Sequence, residues 1–65
     1  PAGPGPYEFV KCSVSADGRH LRLLLVAGDR KSGRELRVWQ IVPRAISREA
    51  LEGALAELWR RLGDA

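Results

Sequence analysis

The sequence predicts a small α+β domain, in which a three-stranded antiparallel β-meander of strand order 1-2-3 is covered on one face by a single C-terminal α-helix (βββα). Three observations predict it. Residues 46–63 carry an amphipathic helical pattern, the preceding stretches alternate apolar and polar side chains, and turn-forming residues separate those stretches. A chain of 65 residues makes one domain at most.

The chain opens with PAGPGP, residues 1–6, which offers no core residue and is predicted to be a flexible arm before a single domain at residues 7–65. Alternating patterns then predict three strands, at residues 7–15, 21–27 and 34–42. Asp17 and Gly18 are a strong two-residue hairpin signal. The second loop is the longer segment GDRKSG, residues 28–33.

The helix has a start signal and a stop signal. Ser47 is predicted to cap its N-terminus, because the hydroxyl can accept a hydrogen bond from a first-turn amide. Gly63 is predicted to end it in the left-handed conformation. Glu57 and Arg61 are spaced to pair at i, i+4. One apolar stripe faces the sheet: Leu51, Ala54, Leu55, Leu58 and Leu62.

A two-residue loop at Asp17-Gly18 would place Val14 opposite Leu21, and pairing of Gly28 with Gly33 would place Leu25 opposite Leu36. Turn and pattern then predict one core face: Val10, Cys12, Val14, Leu21, Leu23, Leu25, Leu36, Val38 and Val42. Cys12 is accordingly expected to be a buried small hydrophobe rather than a reactive thiol.

The opposite face of the sheet has no second helix to cover it. The predicted cross-strand rows there are Phe9–Val26–Glu35, Lys11–Leu24–Arg37, Ser13–Arg22–Trp39 and Ser15–His20–Ile41. Its apolar members are left uncovered: Phe9, Leu24, Val26, Trp39 and Ile41. An exposed apolar patch of this kind marks an interface, unless a larger parent chain covers it as an ordinary core.

Charge is distributed unevenly along the chain. The whole sequence carries +3, but residues 19–48 hold eight Arg and Lys against two Asp and Glu, a net +6. A basic zone of this kind attracts nucleic acid or another polyanion, although it also suits an ordinary solvated surface.

The sequence contains no complete catalytic or metal-binding motif. The G-x-x-x-x-G spacing of residues 28–33 is followed by Arg34 and Glu35 where a P-loop needs Lys and Ser/Thr. His20 is the single histidine and has no ligand partners at metal-site spacing. No paired carboxylates are placed for acid–base work. We therefore expect a non-enzymatic protein without cofactor or metal.

Two functions remain open. In the first, the open sheet face binds nucleic acid; in the second, the same face binds a protein partner or a second copy of the chain. The candidate binding residues are Phe9, Lys11, Arg22, Leu24, Arg30, Lys31, Arg37, Trp39 and Ile41. The predicted architecture resembles, at fold level, the sheet-plus-helix domains of plant ethylene-response transcription factors and the arm-binding domains of tyrosine recombinases. That resemblance implies a sheet face that enters the major groove.

The sequence also predicts a cellular compartment. One cysteine, Cys12, cannot form an intrachain disulfide, which favours a reducing, cytoplasmic compartment. No apolar run is long enough to span a membrane, so no membrane partner is expected.

Overall fold

The structure is a computed structural model that describes residues 7–64. Its elements are β1 (Phe9–Ala16), β2 (His20–Gly28), β3 (Glu35–Pro43) and α1 (Arg48–Asp64). The strands form one antiparallel sheet in the order β1-β2-β3, so the predicted βββα class is confirmed. The predicted arm at residues 1–6 lies outside the described residues, as does Ala65 at the end of the predicted domain.

The start of α1 agrees with the sequence, whereas its end does not. The Ser47 hydroxyl accepts a 3.2 Å hydrogen bond from the amide of Ala50, which confirms Ser47 as the N-cap. Gly63 lies inside α1 rather than in the left-handed region, so its predicted role is wrong. The helix continues to Asp64, and its last turn carries a 2.7 Å hydrogen bond from Nη1 of Arg60 to the Asp64 carboxylate.

The predicted pair of Glu57 with Arg61 is also wrong. Glu57 pairs with Arg60 at i+3 instead, with a 2.9 Å bond from Arg60 Nε. Arg61 turns to the sheet, where its Nη1 atom donates to the Trp39 carbonyl at 3.3 Å. The C-terminal turn of α1 is thereby joined to the outer edge of β3.

The core lies between α1 and the two strands β2 and β3. Leu23 and Leu58 are fully buried at its centre, and Ala27, which the sequence did not nominate, is buried as completely. The remaining core residues are Leu25, Val38, Val42, Ala54 and Leu62. Val10, Leu21 and Leu36 are partly buried against this cluster.

The helix does not reach β1, so two predicted core residues are on the surface. Cys12 is exposed, and 57% of Val14 is accessible to solvent. The cause is width: a helix with side chains is about 10 Å across, and strands lie about 4.8 Å apart. One helix therefore covers two strands, and the short connection at residues 44–47 keeps it over β3 and β2.

The first hairpin is displaced from the predicted register. Val14 lies opposite Leu23 rather than Leu21, and the loop consists of Gly18 and Arg19. The Asp17 carboxylate decides this geometry, because its Oδ1 atom accepts the amides of Arg19 at 2.7 Å and His20 at 2.6 Å. Gly18 does not take the positive φ that a type I′ turn at Asp17-Gly18 would need.

The second hairpin is displaced by the same amount. Gly28 lies opposite Glu35 rather than Gly33, because Gly33 takes φ 72° within the loop and donates to the Asp29 carbonyl at 2.9 Å. Both displacements move the pairing by two residues. Because side chains alternate with a period of two, the strand residues stay on their predicted faces although their cross-strand neighbours change. Tyr7, predicted to begin the first strand on the open face, precedes β1 and packs against the core instead.

We expect the two sides of β3 to differ in their contribution to stability. Val38 is 7% exposed against α1, and Ile41 is 58% exposed on the other side. Val38→Ala should lower the free energy of unfolding by about 2–3 kcal/mol, because it removes buried methyl groups. Ile41→Ala should cost at most about 1 kcal/mol, the range of strand propensity. Equal losses in urea unfolding would contradict the assignment of the core.

The Asp17 loop predicts a pH dependence. The amides of Arg19 and His20 hold the pKa of the Asp17 carboxyl below its ordinary value of 3.8. A group whose pKa is lowered by folding stabilises the fold above its unfolded pKa, and this contribution disappears as pH falls through the folded pKa. Asp17→Asn keeps an acceptor but cannot titrate. The wild type should therefore lose stability relative to Asp17→Asn as pH falls below about 4; a constant difference in melting temperature would refute this.

Candidate functional site

The open face is the side of the sheet turned away from α1. Its observed cross-strand rows are Phe9–Gly28–Glu35, Lys11–Val26–Arg37, Ser13–Leu24–Trp39 and Ser15–Arg22–Ile41. The predicted membership of the face is retained, but the predicted rows are wrong because both hairpins pair two residues further on. Leu24 and Val26 lie half-buried in its centre, between the edge strands.

Phe9 forms one end of the open face. Its ring covers the backbone of Gly28 so closely that a Cβ atom at Gly28 would lie 2.5 Å from the ring. Two cations flank the ring, with Lys11 Nζ at 5.2 Å and Arg30 Cζ at 5.6 Å from its centroid. The Glu8 carboxylate accepts a 3.2 Å hydrogen bond from the backbone amide of Arg30 and lies 3.8 Å from the Arg30 Nε atom.

Trp39 and Ile41 form the apolar part nearer the first hairpin loop. They are 52% and 58% exposed, which makes them the most exposed large apolar side chains of this face. The Arg22 guanidinium lies over the Trp39 ring, 5.9 Å from its centroid. An exposed cation–π contact of this kind contributes about 0.5–1 kcal/mol and orients both groups at the surface.

The nominated cations differ in how far they are neutralised. Arg37 donates through Nε to Glu35 at 2.8 Å on the same strand, so its charge is largely matched. Within residues 7–64, no carboxylate lies at salt-bridge distance from Lys11, Arg22 or Lys31. Lys31 is set apart in the second hairpin loop, where its amide donates to Asp29 at 3.0 Å.

The structure therefore brings eight of the nine nominated residues to one surface. Seven lie on the open face itself: Phe9, Lys11, Arg22, Leu24, Arg37, Trp39 and Ile41. Arg30 joins them from the loop through its contact with the Phe9 ring. Lys31 has no such contact and occupies the same loop as a separate cation.

A shallow cleft of about 380 Å³ lies at the first hairpin, beside Arg22 and Ile41 of the open face, and sequence reasoning did not find it. Its lining combines a hydroxyl, a carboxylate, an imidazole and a guanidinium with apolar groups: Ser15, Ala16, Asp17, His20, Arg22 and Ile41. Two of its lining residues, Ser15 and Arg22, lie directly opposite each other only in the observed register. This register could have been predicted by treating the Asp17 side chain as the acceptor for the loop amides of Arg19 and His20.

The cleft does not hold an oriented His–Asp pair. His20 Nδ1 lies 3.7 Å from Asp17 Oδ1, beyond hydrogen-bond distance, and that oxygen already accepts two backbone amides. In the described part of the chain, no three His, Cys, Asp or Glu side chains cluster as a metal ion would require. The chemistry available here is contact with anions through Arg22 and His20, and packing through Ile41.

Comparison with known protein families, curated proteins and solved structures finds no match for this chain. Among residues 7–64, no helix is long and apolar enough to cross a membrane.

The packing of Phe9 on Gly28 gives a direct test of this end of the face. Gly28→Ala should displace the ring and lower the free energy of unfolding by about 1–3 kcal/mol, as overpacking does. Gly18→Ala is the matched control, because nothing lies within 4 Å of its Cβ position and its φ is not positive. If Gly28→Ala cost no more than Gly18→Ala in chemical denaturation, the close packing of Phe9 would be refuted.

Proposed function

We propose that this protein is a non-catalytic binding module whose open face binds nucleic acid. One observation carries the proposal: half of Trp39 is exposed beside the unneutralised cation Arg22, on a sheet face that α1 leaves uncovered. An exposed aromatic ring with neighbouring cations suits a base and its phosphate together. We infer binding rather than catalysis because no acid–base pair is oriented at the surface of residues 7–64.

The cations supply the contacts to the phosphate backbone. Lys11 on β1 and Arg22 on β2 lie in different rows of the open face, so they can contact two separate phosphates of one bound chain. Arg30 and Lys31 extend the positive charge beyond Phe9. The net +6 of residues 19–48 falls largely on these strands and their loops, which favours association with a polyanion.

The apolar centre favours a single strand over a duplex. Leu24, Val26, Trp39 and Ile41 form a continuous apolar surface across β2 and β3. Unpaired bases can stack and pack on such a surface, whereas the bases of a duplex are stacked on one another and its outside is mostly phosphate and sugar. We therefore propose single-stranded nucleic acid as the preferred ligand.

The exposed apolar pair Trp39 and Ile41 also favours the second candidate, in which the same face binds a protein partner or a second copy. In that case the cations would form a polar rim around an apolar centre. The free, exposed thiol of Cys12 suits the reducing, cytoplasmic setting that we propose for either function.

Titration with a fluorescently labelled single-stranded oligonucleotide at several salt concentrations tests the proposal. We expect affinity to fall as salt rises, with a log–log slope of about −0.7 per phosphate contact. Trp39→Ala should weaken binding by about 1–3 kcal/mol, the cost of one stacked base. Arg22→Ala should weaken binding and also make the slope shallower, because it removes one phosphate contact.

Two variants on the helix are matched controls. Trp59→Ala removes the other tryptophan, which is 39% exposed on α1, and Arg48→Ala removes an exposed helix cation. Neither should change affinity, provided that circular dichroism shows a folded chain. Absence of binding at low salt, or equal losses in the Trp39 and Trp59 variants, would refute the proposal; a salt-independent complex with protein alone would favour the second candidate.

A further inference from the structure

The two edges of the sheet are protected differently. Between β2 and β3, the Asp29 amide donates a hydrogen bond to the Arg34 carbonyl, and hydrogen-bonded pairs alternate with non-hydrogen-bonded pairs along an antiparallel ladder. Leu24 and Trp39 are therefore a non-hydrogen-bonded pair. The Trp39 carbonyl therefore points away from β2, to the outer edge of β3. There it accepts a 3.3 Å hydrogen bond from Nη1 of Arg61. Pro43 also removes a donor at the end of this strand. Such devices prevent one strand from pairing with another chain.

The edge of β1 has no such protection among the described residues. Asp17 donates its amide to the His20 carbonyl, so the odd-numbered residues of β1 bond to β2 and the even-numbered ones face outward. The outward backbone groups are those of Val10, Cys12, Val14 and Ala16. The strand contains no proline and a single charged residue, Lys11. An exposed edge of this length and composition is a template for a further strand.

Three of the four outward residues, Cys12, Val14 and Ala16, also form an uncovered apolar row, whereas Val10 is partly buried against the core. Their side chains lie on the face that α1 covers elsewhere, but α1 packs on β2 and β3 alone. Val14 is consequently 57% exposed and Cys12 is exposed. Backbone donors and acceptors and apolar side chains thus belong to the same four residues, which is the combination that strand addition uses.

We propose that β1 is a homodimer interface, at which a second copy of the chain pairs its own β1 antiparallel to form a six-stranded sheet. Outward groups can bond only to outward groups, so even-numbered residues must pair with even-numbered ones. Two central registers satisfy this rule. Cys12 lies opposite either the partner's Cys12 or the partner's Val14, and apolar side chains meet apolar side chains throughout.

Charge on β1 supports a second copy as the occupant. In the first register Lys11 lies opposite the partner's Ser13, and in the second opposite the partner's Ser15. Neither register opposes Lys11 to its own copy, so the only charge on the strand raises no repulsion across the two-fold axis. The strand is therefore complementary to itself, as a two-fold interface requires.

The proposed dimer would join the two open faces. A two-fold axis perpendicular to the sheet keeps both helices on one side, and the open faces then form one continuous surface on the other. This interface is separate from the nucleic-acid proposal, because it uses the edge and the helix side of β1 rather than the open face. Each proposal can fail while the other stands.

The first test is oligomeric state under reducing conditions, which prevent a disulfide between Cys12 thiols from imitating the dimer. Sedimentation of the full chain at millimolar concentration should give twice the 7.2 kDa of one chain. Val14→Lys should give a folded monomer, because it places a charge beside the partner strand. Ile41→Lys is the matched control, since Ile41 is equally exposed but lies on the open face of β3.

Ile41→Lys should leave the dimer intact if β1 is the interface. A monomeric wild type, a dimer that persists in Val14→Lys, or a dimer lost only in Ile41→Lys would overturn the proposal. Val14→Lys should retain oligonucleotide binding, whereas Trp39→Ala should retain the dimer, so the two proposals are tested separately.

Hydrogen exchange gives a second measurement that needs no variant. The amides of Val10, Cys12 and Val14 should exchange at least tenfold more slowly at millimolar than at low micromolar concentration. The outward amides of Trp39 and Ile41 on β3 should show no concentration dependence. Equal rates at both concentrations for the β1 amides would also overturn the proposal.

Discussion

The structure depends on a mismatch of width between one helix and three strands. A helix covers about two strands of a sheet, and the short connection from Pro43 to Arg48 places α1 over β3 and β2. The buried core is confined to that overlap, with Leu23 and Leu58 at its centre. What α1 does not cover is the whole open face and the helix side of β1, and these are the two surfaces for which we propose partners.

The two surfaces differ in chemistry although they share an origin. The open face mixes an exposed aromatic ring, cations and apolar side chains, with Arg22 on Trp39 and two cations around Phe9. The edge of β1 is nearly uncharged and offers backbone groups. The first composition suits a polyanion with aromatic bases, and the second suits another strand. Charge thus distinguishes two proposed interfaces that solvent exposure alone would not distinguish.

The sequence predicted the elements and the faces because both depend on local periodicity. The two-residue period placed Trp39, Ile41 and Arg22 on one side of the sheet, and this assignment survived an error in both registers. The registers were wrong because side chains decided the loops. Asp17 caps the first loop through its carboxylate, and Gly33 takes the positive φ in the second. Dipeptide signals do not contain that information.

Burial across the sheet was the other part that the sequence could not predict. Alternation shows that Cys12 and Val14 face the side of the helix, but it does not show how far the helix extends across the strands. The cleft at the first hairpin was missed for a related reason, since two of its lining residues, Ser15 and Arg22, lie directly opposite each other only in the observed register. The width of sheet that α1 covers, rather than strand propensity, determines whether Cys12 and Val14 are buried.

The two tryptophans provide the most direct test of the proposed function, because they lie on opposite sides of the domain. Each indole N–H gives a separate NMR signal in the ¹⁵N-labelled protein. Addition of a single-stranded oligonucleotide should shift the Trp39 signal, together with amides of the open face, and leave the Trp59 signal in place. A Trp59 shift without a Trp39 shift, or no shift at either indole at low salt, would contradict the proposal that the open face binds nucleic acid.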